Sequence, residues 1–292
     1  MFADAYELVS HFLYPLIVSM RLYDKRVRCG LGSFIILNDE GWILTAAHLL
    51  KPILASSEHK NEIAEFESKC REIQEKRELT AKQKRRMLQR MKPNPDWITN
   101  HSFWWGKDGV RIDEFKVSPE KDLATGQLKP FDPLSIKLYP TIKNPSSLRQ
   151  GTSLCRLGFP LYEINSSFDE QTGNFSIDNS IFPVPRFPIE GIFTRNVVTG
   201  KSQDGKLEIK FLETSSPGLR GQSGGPIFDT RGTVWAIQSS TQHFPLGFSP
   251  KVKKDGKEVE ENQFLNVGWG AHPEMIVSFL QDNGIAFKLS DY

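Results

Sequence analysis

Cysteine is scarce: 292 residues hold three, and Cys29, Cys70 and Cys155 fall in unrelated segments. An odd, scattered set offers no disulfide framework, which points to a reducing compartment. Long apolar runs are missing too. Phe12-Leu13-Tyr14-Pro15-Leu16-Ile17-Val18 is far short of the ~20 residues a membrane helix needs. Asp4 and Glu7 stand where a signal peptide carries basic residues, so triplets such as Asn174-Phe175-Ser176 have little weight as glycosylation sites. No sign of charge prevails. A formal net charge of +2 gives no reason to expect nucleic acid or an anionic membrane as the main partner. His11, His59, His101, His243 and His272 lack metal-ligand spacing with one another or with the cysteines. No glycine motif suited to cradling phosphate occurs. The expectation is a cytoplasmic protein with no cofactor and no metal.

A core, by contrast, is affordable. Hydrophobic residues make up 38% of the chain and aromatics 11%, with 22 glycines and 18 prolines punctuating short apolar runs. That pattern suits many short antiparallel strands. Two stretches stand out. Gly32-Ser33-Phe34-Ile35-Ile36-Leu37-Asn38-Asp39-Glu40-Gly41-Trp42-Ile43-Leu44-Thr45-Ala46-Ala47-His48 reads as strand, turn, strand and a terminal histidine. Far downstream, Gly221-Gln222-Ser223-Gly224-Gly225-Pro226 surrounds a serine with glycines before the strand Pro226-Ile227-Phe228.

In this order the two motifs resemble those of chymotrypsin-fold, trypsin-like serine proteases. The nearer likeness is to bacterial Deg-type (high-temperature-requirement) protease domains. The resemblance implies an all-β fold of two antiparallel six-stranded β-barrels. It extends to Leu148–Pro160, like the strand that opens the second barrel, and to Phe264–Gly270, like the last strand. The halves are expected at 1–147 and 148–292. A closing helix is expected at about 273–283, with Ile276, Phe279 and Leu280 on one face and Gly284 at its end. After it no peptide-binding PDZ module of the kind that Deg-type relatives carry is expected. A bacterial origin is expected on the same likeness.

The resemblance also assigns roles. Ser223 would be the nucleophile, and His48, ending Thr-Ala-Ala-His, the general base. Glycines beside Ser223 let the N–H groups of Gly221 and Ser223 converge on one spot, an oxyanion hole. Family enzymes carry the acid in Asp-Leu-Ala, which Asp122-Leu123-Ala124 supplies. Relatives continue with an apolar strand, whereas this chain reads Thr125-Gly126-Gln127-Leu128, so Asp113 and Asp132 stay open as alternatives. In trypsin an aspartate at the pocket base attracts Arg or Lys. The matching position, six residues before Ser223, is Pro217, which argues against that preference. Ser239, Ser240 and Thr241 would form another wall, suited to a small or neutral polar side chain, and His243 would favour an acidic one. Gln222 replaces the aspartate that zymogen-activated relatives pair with a new N-terminal ammonium, implying conformational control.

The interval from His48 to Asp122 exceeds what a compact barrel needs. Its extra sequence, about 51–95, is charge-rich and free of glycine. Ile63, Phe66, Cys70 and Ile73 recur at helical steps. Thr80 is a fair N-cap for a second helix with Met87, Leu88 and Met91, which Pro93 and Pro95 would end. A helical hairpin results. Its narrow stripe is expected to bury itself between the two helices, with the basic face of the second (Lys82, Lys84, Arg85, Arg86, Arg90, Lys92) balanced by acids on the first. The arm would then be dispensable for folding and a site for a regulatory protein partner. Trp104 and Trp105 suit packing better than nucleic-acid stacking.

The leading expectation is an intracellular serine endopeptidase acting on protein or peptide substrates through an acyl-enzyme. The alternatives are an interaction protein on the same scaffold, or an esterase using the same triad.

Overall fold

The computed structural model describes residues 1–178, 180, 182–261 and 263–292. Helix α1 (Ala3–Ser10) leads into β1 (Leu13–Leu22), which pairs antiparallel with β2 (Val27–Ile36). The turn into β3 (Trp42–Thr45) is closed by Asn38, whose side-chain oxygen accepts from the N–H groups of Glu40 and Trp42, and by Gly41 at φ 80°. Helices α2 (Lys51–Glu75) and α3 (Ala81–Arg90) follow, then β4 (Ile98–Trp104), β5 (Arg111–Ser118) and β6 (Leu123–Lys129). These six strands form one sheet in the order β4-β1-β2-β3-β6-β5.

A short strand β7 (Thr141–Ile142) lies in the connection to the second half. There follow β8 (Ser153–Gly158), the hairpin β9 (Ser166–Asp169) and β10 (Asn174–Ile177), and the long pair β11 (Phe187–Lys201) and β12 (Glu208–Thr214). Then come β13 (Pro226–Phe228), β14 (Val234–Pro245), the exposed hairpin β15 (Lys251–Lys254) and β16 (Lys257–Glu260), β17 (Phe264–Ala271), helix α4 (Pro273–Asp282) and β18 (Lys288–Leu289). The second sheet runs β13-β8-β11-β12-β17-β14, and a β13–β14 pairing closes it into a six-stranded barrel. It goes beyond the expected six strands: β7 and β18 add on in parallel at the β14 side. Both halves pour side chains into one core, with Val9, Leu13, Ile35, Leu44 and Leu123 from the first and Leu157, Phe228, Ile237 and Ile276 from the second.

The inserted arm packs otherwise than its sequence suggests. Phe66 of α2 lies edge-on to Tyr23 at 6.2 Å and against Trp97 at 5.7 Å. Trp97 donates its indole N–H to Glu62, and His59 accepts the N–H of Ile98 at 2.9 Å. Phe66, within the stripe of α2, therefore packs against the first barrel and not within the hairpin. Helix α3 has no buried residue, because its lysines and arginines cannot leave water without partners. Among the described residues no ion pair links its basic side chains to the acids of α2. Thr80 does cap α3, in a reciprocal pairing with Gln83.

Candidate active site

His48 sits in a single 3₁₀ turn, Ala47–Leu50, directly after β3. The small, buried Ala46 and Ala47 let that turn settle against the loop that carries Asp122. Cross-strand register brings the two together, since Thr45 of β3 pairs with Ala124 of β6. Asp122 adopts φ +49°, a left-handed conformation that aspartate and asparagine tolerate better than most residues. Its backbone carbonyl accepts the Ala47 N–H at 3.2 Å, and its Oδ1 accepts the His48 N–H at 3.0 Å. The His48 ring places Nδ1 at 2.9 Å from Oδ2 and 3.1 Å from Oδ1. A third donor arrives from the other barrel: Ser239 Oγ donates to Oδ2 at 2.5 Å. With a carboxylate against Nδ1, the proton of a neutral ring belongs on Nδ1, leaving Nε2 as the acceptor.

Asp132 caps a short turn by accepting the Leu134 N–H, and Asp113 is exposed on β5; neither meets His48. The polar run after Asp122 is still a strand, because Thr125 is buried and donates its hydroxyl to the Ile43 carbonyl. One satisfied hydroxyl explains how a polar sequence occupies a core strand.

The serine turn is held from both barrels. Gly221 has φ +92° and Gly224 φ +81°. A Cβ at Gly221 would lie 2.2 Å from the Phe159 carbonyl oxygen, and one at Gly224 2.1 Å from that of Ser33, so only glycine fits at either. The Gly221 carbonyl accepts from Ser33 Oγ at 2.7 Å and from the Phe159 N–H at 3.1 Å. Ser33 also donates its N–H to the Ser223 carbonyl at 2.8 Å. Gln238 clasps the turn from β14 by a pair of backbone bonds with Gly224 and Gly225, each 2.8 Å. Among the described residues the N–H groups of Gly221 and Ser223 donate to no protein group, and Ser223 Oγ makes no hydrogen bond. Gly221, Ser223 and His48 line one cleft of about 760 Å³, together with Leu31, Leu161 and Arg220. Gln222 is fully buried; its side chain accepts the Leu219 N–H and donates to the Phe187 carbonyl.

The expected pocket wall is rearranged. Ser239 turns its hydroxyl to Asp122 instead of lining a pocket. Thr241 Oγ1 is occupied by the N–H and carbonyl of Gly218 at 2.9 and 2.7 Å. Ser240 Oγ accepts from Gln242, and His243 is exposed and bonded to Asn266 at 2.6 Å. A register shift in β14 between Gln238 and Ser240 displaces these hydroxyls from simple alternation. Beneath Pro217 lies a residue that sequence reading passed over, Arg156, only 1% exposed. Burial pulls its guanidinium down to about 10, which leaves it charged at neutral pH. A lone charge within Leu154-Cys155-Arg156-Leu157 was the available signal. Ser33 and Phe159 had none, since their roles rest on contacts across the barrels. Among the described residues no group of His, Cys, Asp or Glu is arranged to hold a metal.

Two packed antiparallel β-sheets, one a closed barrel, with a serine, a histidine and an aspartate at their junction define the serine-protease class of chymotrypsin fold. The chain belongs to the trypsin-like peptidase family, whose domain model matches residues 32–237. Among solved structures it is similar to the HtrA-type protease AlgW with tripeptide, at 16% identity and a TM-score of 0.49. That match covers 97% of this chain and 63% of the other, so the chain spans less than two thirds of AlgW's length. It is also similar to the Rv3671c protease from M. tuberculosis in its active form, at 11% identity and a TM-score of 0.49, covering 98% and 86% of the two chains. No curated protein matches the sequence.

Proposed function

We propose that the chain is a serine endopeptidase that cleaves protein or peptide substrates through an acyl-enzyme, with Ser223 as nucleophile, His48 as base and Asp122 as the orienting acid. One observation carries this reading: the Asp122 carboxylate grips His48 at both its backbone and its Nδ1 while Ser239 holds Oδ2, the oxygen nearer to Nδ1. A carboxylate so fixed presets the imidazole tautomer and stabilises the imidazolium that forms. Ser223 Oγ attacks the scissile carbonyl as its proton passes to His48 Nε2. The C–O bond forms, and the carbonyl electrons move onto oxygen between the Gly221 and Ser223 N–H groups. His48 then returns the proton to the leaving amine as the C–N bond breaks. Water repeats the sequence to release the acid and restore Ser223.

Control is read as conformational. Gln222 spends both ends of its amide inside the protein, on Leu219 and Phe187, so no new ammonium is required to order the oxyanion loop. The exposed basic face of α3 is the surface a regulatory partner would use. Three free thiols fit a cytoplasmic setting. Among the described residues no helix is long and apolar enough to cross a membrane.

The test is a fluorophosphonate probe on the intact chain with mass spectrometry. Labelling should map to Ser223 and vanish in Ser223→Ala with the fold unchanged. His48→Ala should slow turnover by several orders of magnitude. The labelled species should carry its encoded N-terminus; labelling that appears only after an internal cut defeats the control reading, and labelling elsewhere defeats the assignment.

A further inference from the structure

We infer that Arg156 makes the floor of the substrate side-chain pocket cationic, and that the enzyme cleaves after acidic residues, Glu or Asp; this rests on the acyl-transfer reading above. The pocket of a chymotrypsin-fold protease lies between the segment preceding the nucleophile and the strand following it, and the charge at its base selects the substrate side chain. Here those walls are Ser216–Gly218 and Gln238–Thr241, joined by the two bonds between Gly218 and Thr241. Arg156 rises between them from β8. Its Nη1 donates to the Pro217 carbonyl at 2.7 Å and to the Ser216 carbonyl at 3.2 Å; its Nε donates to Gln238 Oε1 at 2.5 Å, and its Nη2 to Thr214 Oγ1 at 2.6 Å. The position that holds a carboxylate in trypsin is thus a proline whose carbonyl is turned onto a cation.

Every partner of this buried cation is neutral. Buried arginines are ordinarily paired with carboxylates, and the neighbouring buried one, Glu213, is already engaged by Arg195, Thr194 and Trp269. The second N–H of Nη2 has no acceptor among the described residues. It borders Gly268, where a Cβ would stand 2.2 Å from Nη2, and the absence of a side chain there lets the guanidinium lie against β17. A substrate carboxylate that reached Nη2 would supply the missing counter-ion. A lysine or arginine would meet repulsion in a dry, low-dielectric site. Of the hydroxyls that suggested a neutral preference, Ser239 is engaged by Asp122 and Thr241 by Gly218, while Ser240 accepts from Gln242.

The experiment is a P1-varied fluorogenic peptide series cleaved by the intact chain, read as the ratio of kcat/KM for Glu to Gln and for Asp to Asn. That ratio cancels general changes in folding or catalysis. Wild type should favour the acid by ~10-fold or more, the scale on which a complementary buried polar group discriminates. Gln238→Glu places a carboxylate on Arg156 Nε and should bring the ratio close to one; Arg156→Met should do the same without an added charge. A wild type that is labelled by the fluorophosphonate yet prefers neutral or basic P1 residues overturns the inference, as does a Gln238→Glu or Arg156→Met enzyme that keeps the acid preference. If wild type is neither labelled nor able to cleave any peptide, it is the endopeptidase reading that fails.

Discussion

Asp122 shows how much one side chain in this chain is asked to do. Its carboxylate takes the His48 backbone N–H, the His48 ring and the Ser239 hydroxyl, while its backbone sits at φ +49°. Asparagine tolerates that conformation, so Asp122→Asn keeps the loop but presents an amide to Nδ1 and disturbs the tautomer. Turnover should fall by roughly 10⁴ with the melting temperature little changed. Ser239→Ala removes one of three donors and leaves the His48 contact in place. A loss of about tenfold in kcat, with KM nearly constant, is expected for one hydrogen bond to a charged group. Steady-state kinetics beside thermal melts check both. A near-normal Asp122→Asn enzyme would take the acid away from Asp122.

At the scale of elements, the arm illustrates how a helix chooses its neighbour. The stripe Ile63, Phe66, Cys70 and Ile73 was legible in the sequence as amphipathic, but the surface it covers was not. Tyr23 comes from the β1–β2 turn and Trp97 from the approach to β4, and nothing in the spacing of α2 points at either. Aromatic packing decides the matter: Tyr23 and Trp97 lie edge to face against Phe66 and against each other, whereas α3 offers mainly charge. Removing Ser56–Lys92 would therefore strip the first barrel of Phe66, His59 and Glu62. Phe66→Ala should cost about 1–3 kcal/mol of stability, while replacing 77–92 with a Gly/Ser linker should leave the thermal midpoint within ~2 °C, since exposed segments contribute little. Equal losses from both changes would mean that α3 belongs to the packed structure after all.

The whole molecule unites its halves through a shared core and through the ends of the chain. His272, 3% exposed, caps α4 by accepting the Glu274 N–H at Nδ1, and it donates its backbone N–H to Lys210 of β12. Burial pushes its pKa down from 6.5 to about 4, with Glu274 opposing and Lys210 reinforcing. The unfolded chain then binds a proton more readily than the folded one between these values. The stability that neutral His272 supplies is complete above about pH 6.5 and is lost as pH falls towards about 4, a swing of ~3 kcal/mol. His272→Asn keeps a capping oxygen but cannot titrate. Denaturant melts from pH 7 to pH 4 should show a shallower decline for this variant than for wild type; identical slopes would remove His272 from the account.

What the sequence determined by itself was local and covalent in reach. Gly221, Gly224 and Gly41 declare backbone turns that other residues resist, the Phe34–Leu44 run declares a hairpin, and Thr80 declares a helix start, because each acts on neighbours within a few residues. The order of His48, Asp122 and Ser223 could be read the same way, as motifs. Only the tertiary structure decided who meets whom: that Ser239 serves Asp122 and not the pocket, that Ser33 in one barrel props the Gly221 carbonyl of the other, and that Arg156 stands under Pro217 without a counter-ion. Such contacts join positions up to 188 residues apart. They are fixed by barrel closure, strand register and the need of each buried polar group for a partner, none of which is a property of any short stretch of chain.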